Sequence, residues 1–245
     1  MRGKLLIINF VTVILAIIAI AVFAVNWSKE QHIESVTVSG SKLISSNEIQ
    51  LELSDTLINH KRGLIKLQNI QKLLKQNPYI RETYITHNNL NELQVELKER
   101  IPSAILELEN GELAVLDEEL AVLPYKLFED FPDLPIIKGI FDKGQIDSAS
   151  INGAVTILNQ VSLVNANSLY SNISEIIYKK SSNTYELITA IEGIKVILGK
   201  LEDIELKIDK LDAYLKESLI NPDMKRVKYL DLRWGNHIIA GKYGN

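Results

Sequence analysis

The chain of 245 residues contains no cysteine, which excludes a disulfide framework, a thiolate nucleophile and any metal site built on sulfur. That absence suits an oxidising exterior. Histidine is scarce too: His32, His60, His87 and His237 are scattered, with no His-Glu-x-x-His or related ligand spacing, so they read as surface or structural residues. No Gly-x-Ser-x-Gly elbow, phosphate-cradling Gly-rich loop or Gly-x-Gly-x-x-Gly fingerprint occurs. The acidic pairs Glu118-Glu119 and Glu202-Asp203 fall on a polar turn and a helix face, without the desolvated cleft that acid-base chemistry needs. Asn26-Trp27-Ser28 and Asn172-Ile173-Ser174 match a glycosylation pattern that chance produces often. The expectation is a protein without catalytic residues, metal, cofactor or small-molecule substrate.

Charge is missing from one place in particular. From Leu5 to Val25 no acidic or basic side chain occurs, and Asn9 and Thr12 are the only polar ones. A helix over residues 5–25 covers roughly 31 Å, the hydrocarbon thickness of a bilayer. Arg2 and Lys4 precede it, which by the positive-inside rule keeps the basic tail, residues 1–4, in the cytoplasm and sends the remainder across. Trp27 suits the far interface. The rival is a cleaved signal peptide, which has a shorter apolar core; its small-x-small site would be Ala19-Ile20-Ala21, inside the run. Two of the 27 basic residues precede the run, so the rest carries 25 basic against 31 acidic residues, a net charge of −6. That balance argues against a nucleic-acid partner.

Beyond the anchor the hydrophobic period alternates between two and 3.6. Residues 33–38 read as a strand, closed by Ser39-Gly40-Ser41. Ser45-Ser46-Asn47-Glu48 has capping-box spacing and opens a helix with Ile49, Leu51, Leu53 and Leu57. After Gly63, Leu64, Leu67, Ile70, Leu73 and Leu74 give a second helix, which Asn77-Pro78 stops. Two alternating runs around His87-Asn88-Asn89-Leu90-Asn91 make a hairpin, with one face covered by the two helices.

Pro102 ends that unit. A hairpin around Glu109-Asn110-Gly111 follows, then an irregular connection over residues 124–140 that holds three prolines and ends in an extended piece at 135–139. A helix is expected at 148–164, a meander at 173–178, 185–191 and 194–198, and an amphipathic helix at 202–219. The last strand is read at 227–234, with Val227 and Tyr229 on one side, Leu230 and Leu232 on the other, and Gly235-Asn236 turning it toward residues 237–240. The fold class is α+β: one transmembrane helix, a β-α-α-β-β unit and a β-rich second unit with flanking helices.

In this order, the chain resembles the bacterial cell-division FtsQ/DivIB family. The resemblance rests on the opening strand and Gly40, Ser46-Asn47-Glu48-Ile49, Pro78-Tyr79-Ile80, Glu99-Arg100-Ile101-Pro102-Ser103-Ala104, Leu134-Pro135-Ile136-Ile137-Lys138-Gly139, Leu198-Gly199 and Asp231-Leu232-Arg233-Trp234. It implies a POTRA domain over 31–101 and an FtsQ-type β domain over 102–245. Around Leu116-Asp117-Glu118-Glu119-Leu120 the chain has acidic residues where many members place a glycine, which implies a turn of different shape.

The resemblance implies a non-enzymatic divisome scaffold: a single-pass protein of the cell inner membrane, N-terminus cytoplasmic, its bulk extracytoplasmic and concentrated at the division septum. It would link early and late division proteins to septal wall synthesis. Its partners would be the coiled-coil proteins FtsB and FtsL, received by strand addition on the C-terminal strand. The matching residues are Tyr229, Leu230, Asp231, Leu232, Arg233 and Trp234, with Arg233 beside a partner carboxylate and Trp234 as the aromatic anchor. Two rivals stay open at this point: a POTRA-bearing transport component and an anchored envelope enzyme.

Overall fold

The computed structural model describes residues 2–142, 144–164, 169–221, 224 and 227–242. Two compact units emerge: residues 1–100 with 128–130, and residues 101–127 with 131–245.

The first unit begins with α1 (Arg2–Glu30). From Asn9 to Glu30 this helix is long and apolar enough to cross a membrane, and none of its apolar stretch is buried against protein. Then come β1 (Ser35–Ser39), α2 (Ser46–Leu57), a 3-10 turn at Arg62–Leu64, α3 (Leu67–Leu74), β2 (Ile80–His87) and β3 (Glu92–Glu99). Strand β3 is central, parallel to β1 and antiparallel to β2. Its period-two pattern places Leu93, Val95 and Leu97 inside, against Ile49 and Leu53 of α2 and Ile70 and Leu74 of α3, all buried. Ser45 caps α2 by accepting the Glu48 amide at 3.2 Å. The Glu99 carboxylate accepts the amides of Lys42, Leu43 and Ile44 at 2.8, 3.0 and 2.8 Å, tying the β1–α2 loop to the end of β3.

The second helix is shorter than the leucine spacing suggested. Leu64 falls in the 3-10 turn and is exposed, because that turn is held by the end of α1: the Arg62 amide donates to the Gln31 carbonyl at 2.7 Å and Arg62 Nη1 to Ser28 Oγ at 2.9 Å.

The second unit contains β4 (Pro102–Glu107), β5 (Leu113–Asp117), β6 (Val122–Pro124), β7 (Ile136–Lys138), a small ribbon of β8 (Phe141–Asp142) and β9 (Gln145–Ile146), α4 (Ser148–Val164), β10 (Ile173–Lys179), β11 (Thr184–Thr189), β12 (Lys195–Gly199), α5 (Ile204–Ile220), β13 (Val227–Asp231) and β14 (Ile239–Lys242). Nine strands form one sheet in the order β14-β13-β12-β11-β10-β7-β4-β5-β6. Three-residue β7, which the sequence suggested only as the extended end of an irregular connection, lies at the middle of the sheet. It runs parallel to β4 on one side and β10 on the other, so it joins two antiparallel meanders into one surface.

Both helices contribute to the core of this unit. Ile151, Ala154, Ile157 and Val161 of α4 and Ile208 and Leu211 of α5 join Leu106, Leu116, Ile137, Ile176, Leu187, Val196 and Leu230 in one buried cluster. Gly153 leaves the space that the Tyr185 ring fills, and the Tyr185 hydroxyl donates to the Ser150 carbonyl at 2.9 Å. Burial pushes that phenol up to about 12. The architecture is the α+β arrangement expected from the sequence.

Candidate functional site

Strand β13 does not extend to Trp234. It ends at Asp231; the Leu232 amide still donates to the Ile197 carbonyl at 3.0 Å, and the chain then turns over residues 234–237 so that β14 can return antiparallel to it, pairing Tyr229 with Gly241, Leu230 with Ala240 and Asp231 with Ile239. On its other side β13 runs parallel to β12. It is therefore an interior strand, and the C-terminal edge of the sheet is β14. The register slips between Val227 and Tyr229, which separates two residues that strict alternation would put on one face: Val227 is buried and Tyr229 is not.

The six residues singled out in the sequence divide into three groups. Leu230 and Leu232 are fully buried in the core. Tyr229, Arg233 and Trp234 are exposed, Trp234 to 55%. Asp231 is buried and connects the groups: its Oδ1 accepts from Arg233 Nε at 2.9 Å and from the Arg233 amide at 3.1 Å, while its Oδ2 accepts from Arg233 Nη2 at 2.6 Å and Trp234 Nε1 at 3.3 Å. These bonds, first among them those from the Arg233 side chain, hold the Asp231 carboxyl below the usual carboxylate range. The charge-assisted fork fixes both exposed side chains before any partner arrives.

Two neighbours hold this clasp in place. The stem of Arg233 lies against Gly199, the last residue of β12, whose φ is +75°; a side chain there would displace the arginine and strain the backbone. From α5, Lys210 Nζ donates to the carbonyls of Leu232 at 2.9 Å, Gly235 at 2.7 Å and His237 at 3.4 Å, tethering the whole β13–β14 turn. Desolvation lowers the Lys210 pKa. Sequence reasoning missed Lys210. The available signal was a lysine directly beside Leu211, at the border of an apolar stripe, where a long side chain can reach past the core.

On β14 itself, Ile239, Ala240 and Lys242 are exposed, and the Tyr229 ring covers Gly241. An aromatic over an edge glycine stabilises the pairing that glycine alone would weaken. The arrangement offers an extended backbone edge, flanked by a fixed guanidinium and an exposed indole. Because the Nε–Nη2 side of Arg233 is engaged by Asp231, the Nη1–Nη2 end is the one on which a partner carboxylate could form paired bonds.

Elsewhere the second unit has a cleft lined by Ser103, Asp117, Glu118, Asn159, Ser162 and Tyr170. The Tyr170 hydroxyl donates to the Ser103 carbonyl at 2.7 Å, and burial raises its pKa to about 12, so it holds its proton near neutral pH. Among the described residues no group of three His, Asp or Glu side chains is placed to hold a metal ion.

Comparison with known proteins agrees with this organisation. A family model described as "FtsQ/DivIB, C-terminal related" matches residues 105–241, and one described as "POTRA domain, FtsQ-type" matches residues 31–100. The chain is 26% identical over 190 residues to the cell division protein FtsQ of Myxococcus fulvus, a stretch that covers 76% of this chain and 64% of that protein. The similarity thus spans a little under two thirds of that relative's length.

Proposed function

Since the chain belongs to the FtsQ/DivIB family, we propose that it is a non-enzymatic scaffold of the bacterial divisome. It is held in the inner membrane by α1 and receives a coiled-coil division protein of the FtsB/FtsL type on its C-terminal sheet edge. The observation that carries this reading is the edge strand β14, set beside an Arg233–Trp234 pair already fixed by Asp231. A partner segment adding to β14 as a further strand would bond to its outer backbone. The indole would supply buried area at the centre of the contact, and the Nη1–Nη2 end of Arg233 would meet a carboxylate. Arg2 and Lys4 before the apolar run support an orientation with the N-terminus in the cytoplasm and both folded units outside. In this reading the protein connects partners outside the membrane to septal wall synthesis and collects at the division site.

The test is capture of the FtsB/FtsL-type partner by the full chain. Trp234→Ala should weaken capture about thirtyfold, the scale of an interface hot spot, and Arg233→Glu should weaken it further. Unchanged capture with both substitutions would remove the site assignment.

A further inference from the structure

We infer that the 3-10 turn at Arg62–Leu64 is a second membrane contact, docking on anionic lipid headgroups of the leaflet that faces the folded units; this rests on the proposal that α1 crosses the bilayer. The turn is attached to the end of that helix. Lys61 pairs with Glu30, Arg62 bonds to Ser28 Oγ and to the Gln31 carbonyl, and Gly63 lies against the Lys29 side chain. Ser28 to Glu30 follow the last apolar residue, Val25, by about 4.5–7.5 Å along a helix axis. The headgroup layer on each side of the hydrocarbon is roughly 5–7 Å deep. The turn is thus fixed at headgroup depth by covalent and hydrogen-bonded connection alone.

Its composition fits that layer. Lys29, Lys61 and Lys66 are exposed and Arg62 is half-buried, in a chain that is acidic overall. Of the carboxylates at this end, Glu30 is paired with Lys61, which leaves Lys29, Arg62 and Lys66 as the cations of the cluster, while Glu34 and Glu92 keep their charge and accept from Asn91 at 2.6 Å and from Asn88 and Asn89 at 2.9 and 3.1 Å. Leu64, 73% exposed, stands among the cations on the rim of a groove that it lines with Leu53, Leu57 and Ile70, and Trp27 is half exposed on the adjoining turn of α1. A basic cluster around an exposed leucine beside a membrane helix is the pattern of an interfacial anchor, with the cations meeting phosphates and the apolar side chain entering the acyl boundary. The occupant is lipid and not free phosphate, because only a bilayer rewards the exposed Leu64 as well as the charges.

The absence of cysteine makes a clean test possible in the full chain. Leu64→Cys, Lys42→Cys and Ile14→Cys are each labelled with an environment-sensitive fluorophore and reconstituted into nanodiscs of phosphatidylcholine, with or without phosphatidylglycerol. Quenching is read with lipids brominated near the headgroup or on the acyl chain. Lys42 is the control, since its loop is tied to Glu99 at the opposite end of β3 from Glu92. The label at 64 should be quenched well above the label at 42, more strongly with phosphatidylglycerol and less in high salt. In the Leu64→Cys background, Lys29→Glu and Lys66→Glu should each reduce the docked-to-undocked ratio by about fivefold or more. Equal quenching at 64 and 42, or quenching at 64 that ignores the anionic lipid, overturns the inference. The label at 14 separates the two levels: quenching there without quenching at 64 refutes the docking alone, whereas no acyl-chain quenching at 14 refutes the anchor and the docking with it.

Discussion

The nine-stranded sheet has two ends built on opposite principles. At one end β6 is three residues long and stops at Pro124, which has no amide hydrogen to offer a further strand. At the other end β14 contains no proline, carries exposed Ile239 and Ala240, and is backed by the Asp231 clasp, Tyr229 over Gly241, and the Lys210 tether. Natural sheets blunt the edges they must keep unpaired. One end of this sheet is blunted and the other is left open and rigidified. The proposed strand addition rests on that contrast more than on any single residue.

The contrast can be broken directly. Proline at consecutive positions of β14, Ile239→Pro and Ala240→Pro, places one ring where its missing amide hydrogen points away from β13. That variant should lose partner capture by about 100-fold or more, whereas Val122→Pro at the β6 end should leave capture unchanged; pull-down with the full chain measures both. Next in size, Asp231→Ala removes the acceptor for Arg233 and Trp234. With the charge half screened by solvent, it should destabilise the second unit by about 2–3 kcal/mol in denaturant unfolding.

The same group fixes the sign of an acid effect. Its folded carboxyl lies below 3.8, so its contribution is complete above that value and is lost as pH falls through the lower folded value. An Asp231→Asn variant should lack that component of the acid unfolding curve. Lys210→Met leaves three turn carbonyls without their shared donor and should cost about 1–2 kcal/mol, seen first as faster amide exchange in residues 232–242.

The smallest effect concerns the turn that leads into the blunted edge. There Leu120 adopts a φ of 65°, held by the Asp117 carboxylate, which accepts the Glu119 and Ala121 amides at 2.9 and 2.7 Å. A left-handed φ is one that glycine adopts without cost and leucine does not. Leu120→Gly should raise stability by about 0.5–1 kcal/mol in thermal unfolding, without touching partner capture.

Local structure was legible from residue spacing because it depends on near neighbours. The capped α2, the hairpin of β2 and β3, the helix at Ser148–Val164 and the meander that follows all come from periods of 3.6 and two. Pairing across long sequence separations left no such mark. Nothing in Ile136-Ile137-Lys138 says that it joins β4 to β10, and nothing in residues 227–234 says that β14 will cover the strand. For the candidate site, spacing could not tell core Leu230 and Leu232 from exposed Tyr229 and Trp234 across a bulge. Nor could it show that Arg233 already has an internal carboxylate partner.

Hydrogen exchange of the full chain, with and without an FtsB/FtsL-type partner, tests the asymmetry of the two edges most directly. The amides of residues 239–242 should slow markedly on binding, while those of Val122 and Leu123 stay unchanged. Protection at β6, or binding without protection at β14, would contradict that asymmetry.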